Sequence, residues 1–436
     1  IHCGLVGSEM CIRDRGRYVT LRGMAGGLNA VSMNGALVPA PEGGRKVLLD
    51  GLPTELLDSI EVYKTLTPNQ DLEGIGGRIE FNTKKATALD EPVLKFRYDT
   101  QYNEYSKSGN NPKYSLTYGD KITENFGAIF GYTFQSKDIV SNNNEVGYEP
   151  WAVDSNGNKY LARDWEMRFY DLTREREGMT IDMDFEYSPN TSFFANYLFN
   201  EYVDDEIRHK DEYRARNVVE SSITSTSAAY QRITADKETR KRIETRQIKT
   251  QIVGGETNLG DFNFKFQASN SFAEEADDNN VDAKFRSECR IREGDEICGT
   301  YNWSNPQFID LVLAPAASDL LDPSSYGWDE FEIDYGVIQD KEKAVKFDFE
   351  NENFELLSTP MVLQFGYKYS TRTKSNTEGN IDGSDAMSPL GMISYSPYTP
   401  DKWYFPQTLG FFADPDLLFG AQDQFRPLDV DLADFW

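Results

Sequence analysis

Asp182, Asp184 and Glu186 stand at alternate positions, a spacing that puts three carboxylates on one face if the segment is a strand. Such a row could exchange protons or hold a divalent cation; it could equally be a solvated face or half of a docking surface. Asp277, Asp278, Asn279, Asn280, Val281 and Asp282 have the residue types of a calcium loop but lack its central Gly and closing Glu, so they read as an acidic solvated loop. The basic run 237–242, KETRKR, reads as a solvated face or a contact for an anionic lipid such as lipopolysaccharide. Two His and four Cys in 436 residues leave too little for a His-based catalytic centre or a zinc site. No catalytic residue, metal site or cofactor is expected.

Strands must position these groups. Leu94, Phe96, Tyr98, Thr100 and Tyr102 alternate with Lys95, Arg97, Asp99 and Gln101, and eight further segments, led by Tyr114, Phe126, Met179, Phe193, Ile248, Phe262, Val345 and Leu363, repeat that period of two. One apolar and one polar face suits any half-buried antiparallel sheet. The connections are more selective. Short ones at 119–125, 188–192, 254–261 and 355–360 alternate with long ones at 136–177, 204–242 and 273–343. Membrane barrels have that pattern of short periplasmic turns and long extracellular loops, and soluble sandwiches seldom do. Beyond Thr373 no further strand is expected. No run of about 18 apolar residues exists, which excludes helical spans. A net charge of −27 argues against nucleic acid, whose phosphates require Lys and Arg. On this topology Cys289 and Cys298 lie in an external loop and are expected to form a disulfide worth about 2–3 kcal/mol.

Ahead of the strands, residues 45–83 form a different unit. Val47, Leu48 and Leu49 suit a short strand, 53–57 a short helix, Ile60, Glu61, Val62 and Tyr63 a second strand, and Arg78, Ile79, Glu80 and Phe81 a third after Gly74, Gly76 and Gly77. So small a unit needs a partner to bury it. Arg22-Gly23, Asn34-Gly35, Leu52-Pro53, Glu61-Val62-Tyr63-Lys64, Gly76-Gly77-Arg78-Ile79 and Thr83-Lys84 together resemble the plug domain of TonB-dependent outer-membrane receptors. One departure is Lys64-Thr65, where many relatives carry Arg-Gly.

The resemblance implies a mainly β protein. A small mixed α/β plug at 16–88 would precede the N-terminal part of an antiparallel transmembrane β-barrel at 89–436, an incomplete barrel in which nine of the family's twenty-two strands are expected. Residues 1–15 match neither part and read as translated adapter or vector sequence; a signal peptide and TonB-contacting box are expected upstream. A plug in the lumen gives Asp182, Asp184 and Glu186 a docking role opposite Arg22, Arg45 and Arg78. Asn29, with turns at Gly26-Gly27 and 39–44, belongs to the substrate-facing side. Trp151, Tyr160, Trp165, Tyr301, Trp303, Tyr326 and Trp328, on the long loops, suit stacking on a solute or on one another. The implied activity is import of a scarce extracellular solute across the Gram-negative outer membrane, powered by TonB with ExbB and ExbD. An oligosaccharide is the first expectation and a ferric siderophore the second; a passive porin or adhesive barrel is the alternative of another class. The chain contacts outer-membrane lipid and lipopolysaccharide and binds no nucleic acid.

Overall fold

The computed structural model describes residues 10–13, 18–47, 57–67, 70, 73–104, 107, 109, 111–154, 157–305, 308–356, 359–382, 395–397 and 410–416. Its strands are β1 (Met10–Arg13), β2 (Tyr18–Leu21), β3 (Asn29–Met33), β4 (Ala36–Leu37), β5 (Leu57–Tyr63), β6 (Gly77–Thr83), β7 (Val93–Thr100), β8 (Pro112–Thr123), β9 (Phe126–Asp154), β10 (Gly157–Ser188), β11 (Thr191–Val218), β12 (Ser227–Leu259), β13 (Phe262–Arg290), β14 (Gly299–Asn302), β15 (Asp310–Leu313), β16 (Gly327–Leu356), β17 (Thr359–Asp382), β18 (Tyr395–Pro397) and β19 (Phe411–Ala413).

The small unit is a four-stranded mixed sheet in the order β4-β3-β6-β5, with β3 parallel to the central β6. The Asn34-Gly35 turn joins β3 to β4 with both residues at positive φ, 45° and 82°, a backbone that suits these two residue types. Gly77 has φ 144°, and a Cβ there would meet the Tyr63 carbonyl at 2.7 Å, so the entry to β6 requires glycine. Strands β5 and β6 match the sequence expectation, while β3 and β4 were missed because Asn29–Met33 carries no alternation. Val47 lies outside any strand; Leu48, Leu49 and residues 53–56 of the helix expected at 53–57 lie outside the described residues, and Leu57 opens β5 instead of ending a helix.

The large unit is antiparallel, with path β17-β16-β13-β12-β11-β10-β9-β8-β7 and β14 and β15 attached beside β12. These are the nine expected strands, and their order is the sequence order, as short connections between neighbours require. Turns at 124–125, 189–190 and 260–261 mark one end. The long connections are corrected: β9 runs to Asp154 and β10 begins at Gly157, and β11 and β12 are 28 and 33 residues long. The expected loops are continuations of the hairpins. Crossing a membrane takes only about 9–11 tilted residues, so most of each strand lies beyond such a crossing. Cross-strand charge helps hold the extensions, as in Arg174–Asp204 at 3.4 Å and Arg240–Asp282 at 2.5 Å.

Two smaller expectations also change. Residues 10–13 pair with β2, although no strand was assigned within 1–15, because an exposed strand edge accepts any extended backbone. After Thr373, β17 continues to Asp382 and β19 follows; Phe412 is 1% exposed.

The apolar residues divide into two cores. One joins the sheets, with Leu21, Val31, Met33, Val38, Ile79 and Phe81 packing on Leu198, Ile248 and Ala273. The other lies at the far end of the hairpins, where β14, β15, β19 and two 3-10 turns (Pro315–Leu321, Pro323–Ser325) cover Trp165, Met167, Phe169, Tyr213, Ile233, Phe285 and Phe331.

Candidate functional site: the contact between the two sheets

Thr83, the last residue of β6, donates its hydroxyl to Asp182 at 2.6 Å, and Asn196 of β11 donates to the same oxygen at 2.7 Å. Thr83 in turn accepts from Asn34 Nδ2 at 2.8 Å and donates its amide to Asn34 Oδ1 at 3.0 Å. The Asn34 carbonyl accepts from Gln267 of β13 at 3.0 Å. One residue pair of the small sheet is therefore tied to β10, β11 and β13 together. Just past β6, the Ala86 amide donates to Asp184 at 2.6 Å. Two of the three alternating acids, Asp182 and Asp184, contact the small unit, and the third, Glu186, is exposed.

The expected cationic partners are corrected. Arg78 is 6% exposed and pairs with Glu80 at 2.8 Å inside the small sheet, where it also donates to Ser32 at 2.7 Å. Both side chains lie on one face of β6, so the intrastrand carboxylate captures the guanidinium before any wall acid can. Arg22 donates to the Lys64 carbonyl at 3.0 Å, and Arg45 lies 3.6 Å from Glu73. Glu61 and Val62 are exposed on β5. Docking therefore uses hydroxyl and amide donors, which sequence reading missed; the small polar residues that close β6 were the available signal.

Three cations of the large sheet grip the other end. Arg246 of β12, 8% exposed, lies 3.1 Å from Glu42 and 3.0 Å from Glu275. Lys374 of β17 donates to the carbonyls of Ala40 at 3.1 Å, Gly44 at 2.7 Å and Glu42. Arg372 holds the fully buried Asp340 through two bonds, 2.9 and 2.6 Å, and lies 3.4 Å from Glu73. The sequence reading missed this grip, because it expected no strand beyond Thr373 and placed Asp340 in a long connection. Beside that loop, against Ile338, lies a cavity of about 390 Å³ lined by Glu275, Asp277, Asp334, Asn376, Glu378 and Asn380.

The aromatic expectation changes. Trp165 and Trp303 are 3% and 7% exposed, Tyr301 and Tyr326 are buried, and Trp328 packs edge-on against Phe285 at 4.8 Å. They form the distal core and not a solute-facing surface, because a two-sided hairpin extension must bury its apolar face. The side chains of Trp151 and Tyr160 lie outside the described residues. Asn29 is buried in β3, not at a solute-facing surface, where Gly76 leaves room for its side-chain oxygen. The basic run is engaged along its length: Lys237 with Asp211 at 2.6 Å, Glu238 with Lys210 at 2.6 Å, Arg240 with Asp282, and Arg242 with Glu244 at 3.3 Å. It is neither a solvated face nor a lipid contact, because acids on both flanking strands neutralise it. Asp277 to Asp282 lies within β13 and not in a loop. Cys289 and Cys298 are joined in a disulfide, as expected.

The face of the large sheet opposite the small unit has a bare apolar band at the short-turn end. Leu94, Phe96, Tyr98, Tyr118, Met183, Phe185, Val253, Phe347, Phe365 and Tyr367 are all exposed there. Aromatic neighbours tile it, with Phe264–Phe349 at 4.6 Å and Phe349–Phe365 at 5.0 Å. The strands thus carry polar contacts to the small sheet on one side and uncovered hydrophobic surface on the other.

No family model matches the sequence, and no curated protein matches it. Among solved structures, the chain is similar to a siderophore receptor, PiuA, from Acinetobacter baumannii, with 8% identity and a TM-score of 0.28 over 83% of this chain and 56% of that one. It is also similar to the ferric citrate transporter FecA, with 10% identity and a TM-score of 0.26 over 84% of this chain and 72% of that one. A third is the outer membrane transporter YddB from Escherichia coli, with 10% identity and a TM-score of 0.24 over 82% and 71%. The chain spans 56% of the length of the first. What this chain does has to be read from its own contacts.

Proposed function

We propose that the chain is the plug and part of the barrel of a TonB-dependent outer-membrane receptor that imports an extracellular solute. The observation that carries this reading is the two-faced large sheet, which holds the small sheet by Thr83–Asp182 and Ala86–Asp184 on one side and bares an apolar band on the other. A wall that is apolar outside and filled inside is a closed path, and a closed path needs work to open. TonB with ExbB and ExbD supplies that work in this reading. A passive porin has no use for the filler, and an adhesive barrel none for its polar seating.

For the solute, the cavity beside 39–44 carries Glu275, Asp277, Asp334 and Glu378, which disfavour an anion. That supports a neutral or cationic cargo. An oligosaccharide remains the first reading, now without stacking by the buried Trp165 and Trp303, and a ferric siderophore is the second. Locking the plug with a Thr83→Cys/Asp182→Cys pair in the full-length receptor should abolish uptake until reductant is added; uptake through the locked form would sink the transport mechanism. A deletion strain that fails only under iron limitation, with glycan use unchanged, would reject the oligosaccharide.

A further inference from the structure

The two ends of the small sheet are held by different chemistry. At its base, Thr83 and Asn34 make ordinary side-chain hydrogen bonds next to the shared apolar core. Among the described residues β4 pairs with β3 only as far as Ser32–Leu37, so the carbonyls of 39–44 take donors from outside that ladder. A lysine ammonium has three donors and no acceptor. Lys374 matches them to three carbonyls of this one loop, those of Ala40, Glu42 and Gly44. Ala40 is fully buried, and Asp340, 3.6 Å from the ammonium and held by Arg372, supplies the counter-charge. Arg246 fixes the Glu42 side chain from β12, on the other flank.

We infer that Lys374 is a latch: its ammonium sets the shape of the 39–44 loop and fastens that loop's backbone to β17, so that release of this contact loosens the loop while the base stays docked. The inference rests on the plug-in-barrel reading above. Without the ammonium, three carbonyl dipoles converge on an empty point and repel one another, so loop order and latch closure are a single equilibrium. Arg246 alone cannot restore that order, because it grips a side chain and leaves the backbone groups unmatched. The acid-lined cavity adjoins the same loop through Ile338, whose Cδ1 lies 3.7 Å from where a Gly43 Cβ would sit. A solute seated there would therefore press on the latched segment.

The test is limited trypsin proteolysis of the full-length receptor in detergent micelles, read at Arg45 and Lys46 beside the loop. Lys374→Met should speed cleavage there by about tenfold or more while leaving β6 uncut at Arg78. Lys374→Gln, which keeps two donors, should give a smaller rise and serves where the Met variant does not accumulate. Lys368→Met, on the same strand and face but bound to Glu342, should leave the loop protected. An unchanged loop in both Lys374 variants overturns the latch, as does a rise shared equally by β6 or reproduced by Lys368→Met. Failure of the underlying reading is distinguishable, since uptake would then continue through the Thr83→Cys/Asp182→Cys lock whatever the loop does.

Discussion

Thr83 is the residue on which the docked state turns, because it satisfies Asn34 on its own sheet and Asp182 on the other. Thr83→Val keeps the shape and removes both roles, which should weaken docking by about 1–3 kcal/mol, with Thr83→Ser restoring most of it; thermal melting of the purified protein would report both. A second site lies in the distal core, where Lys237 and Asp211 are 3% and 0% exposed and the ammonium also sits 5.3–5.7 Å from the Tyr213, Phe411 and Phe412 rings. Lys237→Met strands a buried carboxylate and should cost about 3–5 kcal/mol, whereas adding Asp211→Leu should recover much of that. Nearby, His209 packs against Phe412 at 4.7 Å with its ring tilted, and burial pushes its pKa from 6.5 down to about 4. The unfolded chain then binds the extra proton, so this contribution is complete above pH 6.5 and is lost as pH falls toward 4. The loss amounts to roughly 3 kcal/mol. His209→Gln should flatten that part of the stability–pH curve measured by denaturant titration. None of these pairings was legible beforehand. The sequence displays which residues carry charge, but a guanidinium such as Arg78 goes to the nearest carboxylate, and only the fold says which one is near.

At the scale of elements, the strands near the short turns were legible and their distal halves were not. Alternation marks a strand only where one face is apolar and the other wet, as in Leu94, Phe96 and Tyr98. Along 204–218 and 227–242 charges occupy both faces, and the same residues that erase the pattern hold the hairpin through cross-strand pairs such as Arg208–Asp282 at 3.4 Å. Of the connection expected at 273–343, only 291–326 lies outside the strands of the main path, and there the described residues form a cover and not a free loop. Its disulfide closes a sequence separation of nine beside the buried Tyr301 and Ile309. Reduction should therefore loosen the distal cover by about 2–3 kcal/mol and leave the docking of the small sheet intact. Limited proteolysis with and without reductant would check this: new cuts at 291–326 are expected, and new cuts at 29–37 would contradict it.

Across the whole molecule, one face of the large sheet changes character along its length. Phe331 and Ile333 of β16 are buried beneath the distal cover, while Val345 and Phe347, further along the same strand, are 38% and 39% exposed. Water is a poor neighbour for such a band, since fully covering each large side chain is worth about 1.5–3 kcal/mol. A bilayer satisfies it without any polypeptide, provided the strands' own backbone groups stay paired, as the ladders from β7 to β17 keep them. On a membrane assignment, the border between covered and bare surface is where protein packing gives way to lipid. Phe347→Arg tests that assignment: at mid-bilayer it should cost about 2–4 kcal/mol, falling toward zero nearer either interface. Phe331→Arg, by contrast, should disrupt the distal core with or without lipid. Comparing both variants in vesicles and in detergent, by the urea midpoint of refolding, separates the two effects. A Phe347→Arg penalty that is no larger in vesicles than in detergent would mean that the band faces another protein surface and not a membrane.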